Sequence, residues 1–286
     1  MKIAAAPISW GVCEVPGWGH QLTPDRVLPE MKQLGLTATE FGPQGWLPVE
    51  PAARAAAVQS HGLGAVGAFV PVVLHYPEHD PVPEVDRELD SFAAAGGDVL
   101  VIAAASGQDG YDERPVLDDA GWRTLLTNLD RLVELATSRG VRATLHPHVG
   151  TMVERRDEVE RVLAGSTVPL CLDTGHLLIG GTDPVELTRE HAARINHVHA
   201  KDVRLDLARR VQDGSLGYTD AVRQGIYVPL GEGDVDFTVI VAELRKVGFD
   251  GWFVLEQDTI LAAEPQGEGP VADVSTSLAY LRSLLG

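Results

Sequence analysis

Short apolar runs alternate with longer amphipathic stretches along the whole chain. The runs Ile3–Ile8, Ala38–Phe41, Ala65–Val73, Val99–Ala104, Arg142–His146, Pro169–Asp173, Ile195–His199 and Trp252–Glu256 predict eight strands. Several are continuous in Val, Ile, Leu and Ala, as strands buried on both faces must be. Between them, apolar residues recur at helical spacing. Val27, Met31 and Leu34 form one such stripe, and Trp122, Leu125, Leu126, Leu129, Leu132 and Val133 form a longer one. Val159, Val162 and Leu163, then Val239, Val241, Ala242 and Leu244, then Leu278, Leu281 and Leu285 predict three more helices. Gly35, Gly62, Gly140 and Gly248 follow helical stretches, where a left-handed cap is common. Pro71–Pro83 and Val203–Asp234 read as two long loops.

Eight strand–helix units predict an α/β fold, a single-domain (β/α)8 TIM barrel spanning residues 1–286. A doubly wound open sheet would carry a Gly-rich phosphate turn after its first strand. The turn here reads Pro7-Ile8-Ser9-Trp10-Gly11, and no Walker sequence occurs. Composition narrows the function classes. A net charge of −18 without a basic patch excludes a nucleic-acid partner, because phosphate binding needs clustered cations. Cys13 and Cys171 sit in apolar surroundings and do not suggest a disulfide framework. Met1-Lys2-Ile3-Ala4 leads directly into a strand, and no apolar stretch approaches the length of a membrane span. The expectation is a cytoplasmic protein with no membrane partner; a homo-oligomer is left open.

In a barrel the C-terminal strand ends converge on one face, where active sites sit. The first strand leads there to Trp10 and Glu14, the second to Glu40 and the third to His75. The fifth leads to His146 and His148, and the sixth to Asp173 and His176. The seventh supplies His197, His199, Lys201 and Asp202, and the eighth Glu256 and Asp258. Apolar strands rarely finish in such residues for packing reasons, since a buried charge is costly unless paired or metal-bound. Imidazole and carboxylate together suit one divalent ion, Mn²⁺ or Co²⁺ first and Zn²⁺ or Fe²⁺ next. Asp173 also fits a helix N-cap, but His199 and Glu256 supply it with partners for a metal. His197 and His199 share one side of their strand, and His199, nearer the end, is favoured as the ligand. Trp10 reads as a pocket wall for a sugar ring.

Three segments resemble the strand ends of the xylose-isomerase-like sugar epimerase and isomerase superfamily. They are Leu172-Asp173-Thr174-Gly175-His176, Asn196-His197-Val198-His199-Ala200-Lys201-Asp202 and Leu255-Glu256-Gln257-Asp258. Gly231-Glu232-Gly233-Asp234-Val235-Asp236-Phe237 matches that family's turn before the seventh helix. Ala6–Trp10, Thr39–Pro43 and His146–Thr151 narrow the resemblance to its inosose dehydratase branch, the enzymes of myo-inositol breakdown. The resemblance implies metal ligands at Asp173, His199 and Glu256. The fourth falls on His146, where most epimerases and isomerases have Glu, with His148 the alternative. Losing that Glu removes one half of a two-carboxylate proton exchange and shifts weight toward a lyase.

The activity implied is dehydration of an inosose or similar polyhydroxy ketone, with a metal-dependent ketose or inosose isomerase or epimerase as the alternative. His148 is the expected base, with His176 the other candidate. Lys201 would stabilise the ketone oxygen, and Glu256 is counted with the catalytic groups as well as the ligands. Trp10, Glu40, His75 and His176 are expected to contact substrate. The implied partner is a small cyclitol or sugar. A DNA-cleaving relative would need a basic groove, and a purely binding barrel would have lost ligands; neither fits this chain.

Overall fold

The computed structural model covers residues 1–286 and forms the expected barrel. Its strands are β1 (Lys2–Ala5), β2 (Ala38–Thr39), β3 (Gly64–Ala65), β4 (Gly67–Val73), β5 (Val99–Ala105), β6 (Arg142–Leu145), β7 (Leu170–Asp173), β8 (Ile195–Ala200), β9 (Asp202–Val203), β10 (Tyr227–Val228) and β11 (Trp252–Leu255). The helices are α1 (Pro24–Gln33), α2 (Pro51–Ser60), α3 (Val82–Ala95), α4 (Asp119–Ser138), α5 (Arg156–Gly165), α6 (Thr174–Ile179), α7 (Pro184–His191), α8 (Leu205–Gln212), α9 (Tyr218–Arg223), α10 (Phe237–Lys246) and α11 (Val271–Leu285). Nine strands form one parallel sheet in the order β3-β2-β1-β11-β8-β7-β6-β5-β4, and β9 and β10 make a separate antiparallel pair. No helix is long and apolar enough to cross a membrane.

The third barrel strand is in two pieces. β3 pairs with β2 and β4 pairs with β5, with Val66 between them. The seam is spanned by the Phe41 amide, which donates to the Gly67 carbonyl at 3.0 Å. Gly67 is required here because a Cβ would lie 1.7 Å from the Val99 carbonyl oxygen. The predicted first strand is shortened to Lys2–Ala5. Pro7 has no amide hydrogen to extend the ladder, and Pro7–Trp10 coil into a 3-10 turn.

Register then fixes the site. Alternate residues of a strand face one side. Cys171 pairs with His197 and Asp173 with His199, while His199 pairs with Val254. Cys171 and Val254 belong to a small buried cluster with Ala4, Ala6, Val66, Val99 and Val101. Two residues further along, the same faces carry Asp173, His199 and Glu256. Narrow side chains fill the barrel floor, and polar ones begin where the strands end.

The long segment after β8 is built rather than loose. It holds β9, α8, α9 and β10, and Asp202 ties it together. Asp202 Oδ1 accepts from the amides of Val203 and Val235, and Oδ2 from those of Gly231 and Gly233. A Cβ on Gly233 would stand 2.3 Å from Asp202 Oδ1, so the glycine lets the turn close on the carboxylate. Asp202→Ala should lower unfolding stability by about 2–4 kcal/mol, because buried donors are left without an acceptor. Urea unfolding reads this directly, and a loss below about 0.5 kcal/mol, the range of an ordinary surface change, would show that the turn is held by other contacts.

Candidate active site

At the C-terminal ends of the strands lies a cavity of about 620 Å³. Its wall includes Glu14, Glu40, Tyr111, His146, His148, Lys201, Glu256 and Asp258. Asp173 and His199 are wholly buried against these side chains.

Four side chains from β7, β8 and the residues after β6 and β11 converge. His146 Nε2 lies 3.1 Å from Asp173 Oδ2. His199 Nδ1 lies 3.6 Å from the same oxygen and 3.2 Å from Glu256 Oε2. His146 Nε2, Asp173 Oδ2 and His199 Nδ1 are buried and make no hydrogen bond of acceptable geometry. Buried polar atoms are normally satisfied, so three that meet without bonding one another fit a shared cation better than a hydrogen-bond network. Two imidazole nitrogens and two carboxylate oxygens are the donor set that a divalent transition ion takes. His146, Asp173 and His199 offer atoms within 4.8 Å of one another, as do Glu40, His199 and Glu256. His148 belongs to neither group. Burial holds the His146 imidazole down at about 4, against the pull of Asp173, so it is neutral and able to donate a lone pair.

Asp173 performs two tasks with two oxygens. Oδ1 accepts from the amides of Gly175 and His176 at 3.0 and 2.7 Å, capping α6. Oδ2 faces His146, His199 and Lys201. The cap and the cluster are therefore both real.

Lys201 is the cation of the site. Its Nζ stands 2.5 Å from Asp258 Oδ1, 3.1 Å from Glu256 Oε2 and 3.6 Å from Asp173 Oδ2. Burial opposes its charge, but Asp173, Asp258 and Glu256 together hold the ammonium well above its usual range. Asp258 is held below the usual carboxylate range; burial acts against this and Lys201 outweighs it. The second oxygen of Asp258 accepts from the Tyr218 hydroxyl at 2.8 Å, and Tyr218 lies 3.0 Å from the Tyr227 hydroxyl.

His148 has an assigned tautomer. Its Nδ1 lies 2.7 Å from the Val149 carbonyl, which only accepts, so Nδ1 carries the hydrogen and Nε2 the lone pair. Burial, followed by the neighbouring His176, keeps the ring neutral well below its usual titration range. The His148 and His176 rings stack with centroids 3.6 Å apart. Tyr111 packs on His148 from the neighbouring loop after β5 at 4.4 Å and donates its hydroxyl to Glu14.

The structure corrects three expectations about the cavity wall and revises a fourth. His176 is not on the wall; its ring stacks on His148 and its Nε2 lies 3.0 Å from Lys201 Nζ. Trp10 is wholly buried, and its Nε1 donates to Glu30 Oε2 at 2.8 Å, so it packs behind β1 and presents no face to a ligand. Trp10 closes the 3-10 turn that begins at Pro7 and is not among the residues lining the cavity. His75 is off the cavity wall as well; its ring lies 4.2 Å from that of Tyr76. β4 extends only to Val73, so His75 lies two residues beyond the strand. Glu40 does line the cavity, but its Oε1 is committed to His197 and His199. Asp258, noted in the sequence but given no part, proves to be the partner of Lys201. Tyr111, Tyr218 and Tyr227 escaped notice because they come from segments without strand or helix periodicity, and none sits at the end of a predicted barrel strand.

A parallel barrel whose strand ends carry a buried imidazole–carboxylate cluster beneath an open cavity defines an enzyme scaffold for a small ligand. A family model described as a xylose isomerase-like TIM barrel matches residues 28–284, and the chain belongs to that family. An inosose dehydratase of Geobacillus kaustophilus is 32% identical over 272 residues, covering 90% of this chain and 87% of the relative. The rhizopine catabolism protein MocC of Rhizobium meliloti is 36% identical over 267 residues, covering 90% and 82%. A solved structure of L-ribulose 3-epimerase aligns with a TM-score of 0.71 at 15% identity, covering 100% of this chain and 95% of that one, a likeness of fold.

Proposed function

We propose that this chain is a metal-dependent inosose dehydratase, removing water from a keto-inositol or closely similar polyhydroxy ketone. The observation that carries the reading is the state of the wall carboxylates. Epimerisation by two carboxylates needs a free one on each face of the substrate. Here Glu40 is bound by two histidines, Asp258 by Lys201 and Tyr218, and Glu14 by Tyr111. The position beside Asp173 is the neutral His146. Glu256 is itself 3.1 Å from Lys201 Nζ and 3.2 Å from His199 Nδ1, and Glu84, Glu88 and Asp90 are paired with His79, Arg54 and Arg139, so no two free carboxylates line the cavity and the neutral His148 is the base on its wall. The names of the two relatives agree with a cyclitol substrate.

His146, Asp173, His199 and Glu256 would hold the ion. A divalent ion, Mn²⁺ or Co²⁺, supplies Lewis-acid stabilisation of the charge that develops on the ketone oxygen. His148 Nε2, with its lone pair free, takes the proton from the carbon beside the carbonyl. The electron pair of that C–H bond moves to the carbonyl oxygen and then returns as the adjacent C–O bond breaks. The leaving hydroxyl takes that proton back from the imidazolium of His148 and departs as water. Lys201 directs its ammonium at the oxygen-rich side of the cavity and holds Glu256 and Asp258 in place. Tyr111 and Glu14 close over the ring from the loops.

Incubation with an inosose and Mn²⁺ or Co²⁺ should give a rise in enone absorbance and a product lighter by one water. Chelation should stop the reaction, and the metal should restore it. A product of unchanged mass would place the enzyme among the isomerases instead.

A further inference from the structure

We propose that Glu40 is a positioning residue: it fixes His199 so that Nδ1 faces the cation, and His197 in turn fixes Glu40. The proposal rests on the metal-binding reading above and adds to it a residue that touches neither ion nor substrate in that scheme.

The geometry is specific. β8 carries His197 and His199 two residues apart, so both rings project to the same side of the strand. Glu40 follows β2 directly, and its amide donates to the Ala5 carbonyl, which anchors the backbone across the barrel from β8. One carboxylate oxygen, Glu40 Oε1, lies 3.0 Å from His197 Nε2 and 3.1 Å from His199 Nε2. Glu40 is 2% exposed and both histidines are wholly buried, so water does not compete for these contacts.

An ionised carboxylate can only accept hydrogen bonds. Both Nε2 atoms therefore carry hydrogen. For His199 this leaves Nδ1 as the nitrogen that supplies a lone pair to a metal, and Nδ1 is the atom aimed at Glu256 Oε2 and Asp173 Oδ2. Without Glu40, no carboxylate on the Nε2 side would bind that hydrogen. The Nδ1 side, facing two carboxylates, would then hold the hydrogen and close the site to a cation. A carboxylate on the remote nitrogen also makes a ligating imidazole more basic. His197 serves as the second clamp, holding the carboxylate at the angle at which His199 needs it.

The test compares Co²⁺ binding by the purified full-length protein, the Glu40→Gln and Glu40→Asp variants, and the Asp173→Asn variant, by calorimetry and by the visible absorption of bound Co²⁺. Glu40→Gln removes the charge at constant shape; Glu40→Asp keeps the charge but withdraws it from His199. Both should bind Co²⁺ about 10–100-fold more weakly, the range for loss of such an outer partner, with a changed Co²⁺ spectrum. If the metal-free Gln variant does not fold, the Asp variant, which keeps the buried charge, decides the matter. Affinity within about threefold of the parent and an unchanged spectrum in a folded variant would overturn the inference while leaving the metal reading intact. Failure of the parent protein to bind Co²⁺ would instead remove the metal reading itself.

Discussion

Asp173→Asn should abolish divalent-metal binding and lower kcat/KM by about three orders of magnitude or more, since metal stabilisation of developing charge is worth several kcal/mol. The fold should survive. Asn keeps an oxygen at the Oδ1 position, so the amides of Gly175 and His176 retain their acceptor and α6 its cap. What changes is Oδ2, the oxygen facing His146 and His199, which becomes an amide nitrogen unable to donate a lone pair. Asp173→Ala should lose both functions and cost about 1 kcal/mol more in stability through the missing cap. Metal content by elemental analysis, thermal unfolding and turnover of an inosose separate these outcomes. An Asn variant that retains metal and activity would show that the ion is held elsewhere.

The double use of Asp173 illustrates what a sequence conveys and what it conceals. Asp-Thr-Gly-His after an apolar strand announces both a helix cap and a ligand, and the structure shows one oxygen for each. The barrel itself was legible because buried parallel strands must be apolar on both faces, as in Val99–Ala105. The cluster was legible because such strands seldom end in His, Asp or Glu, and register does the rest once β7, β8 and β11 are neighbours. Trp10 was misplaced because a tryptophan near a strand end looks the same whether its ring faces in or out; the Pro7 turn decides it, and rotation of a turn leaves no periodic trace. Helix α2, Pro-Ala-Ala-Arg-Ala-Ala-Ala-Val, was signalled only by the Gly62 after it, because alanine carries little amphipathic contrast even though it favours helix. Tyr218 and Tyr227 reach the site from α9 and β10, inside a segment too polar to predict as anything but loop. Glu40 was read as a hand for substrate hydroxyls, since spacing along the chain cannot reveal that two histidines 157 and 159 residues away would occupy its oxygen.

Lys201→Met should lower the stability of the metal-free protein by about 3–5 kcal/mol, the usual penalty for removing one partner of a buried ionic cluster. The ammonium is 2% exposed and stands among Asp173, Glu256 and Asp258, which lie in the same buried space. Without it three carboxylates face one another with little water, and like charges in such a setting repel strongly. Methionine keeps the volume of the stem, so cavity formation adds little. Added Mn²⁺ or Co²⁺ should then raise Tm more in the variant than in the parent, because the ion neutralises Asp173 and Glu256 and no longer meets a neighbouring ammonium. Asp258 gains nothing from that ion and keeps Tyr218 and the His176 ring 3.5 Å away, so the rescue should be partial. Turnover should fall about 10²–10³-fold even at saturating metal, as when a preorganised charge is removed from a water-poor site. Thermal unfolding with and without metal, followed by steady-state rates, measures each part. A metal-free variant as stable as its parent would mean that the three acids are protonated in the native protein, and the electrostatic picture of the site would have to be redrawn.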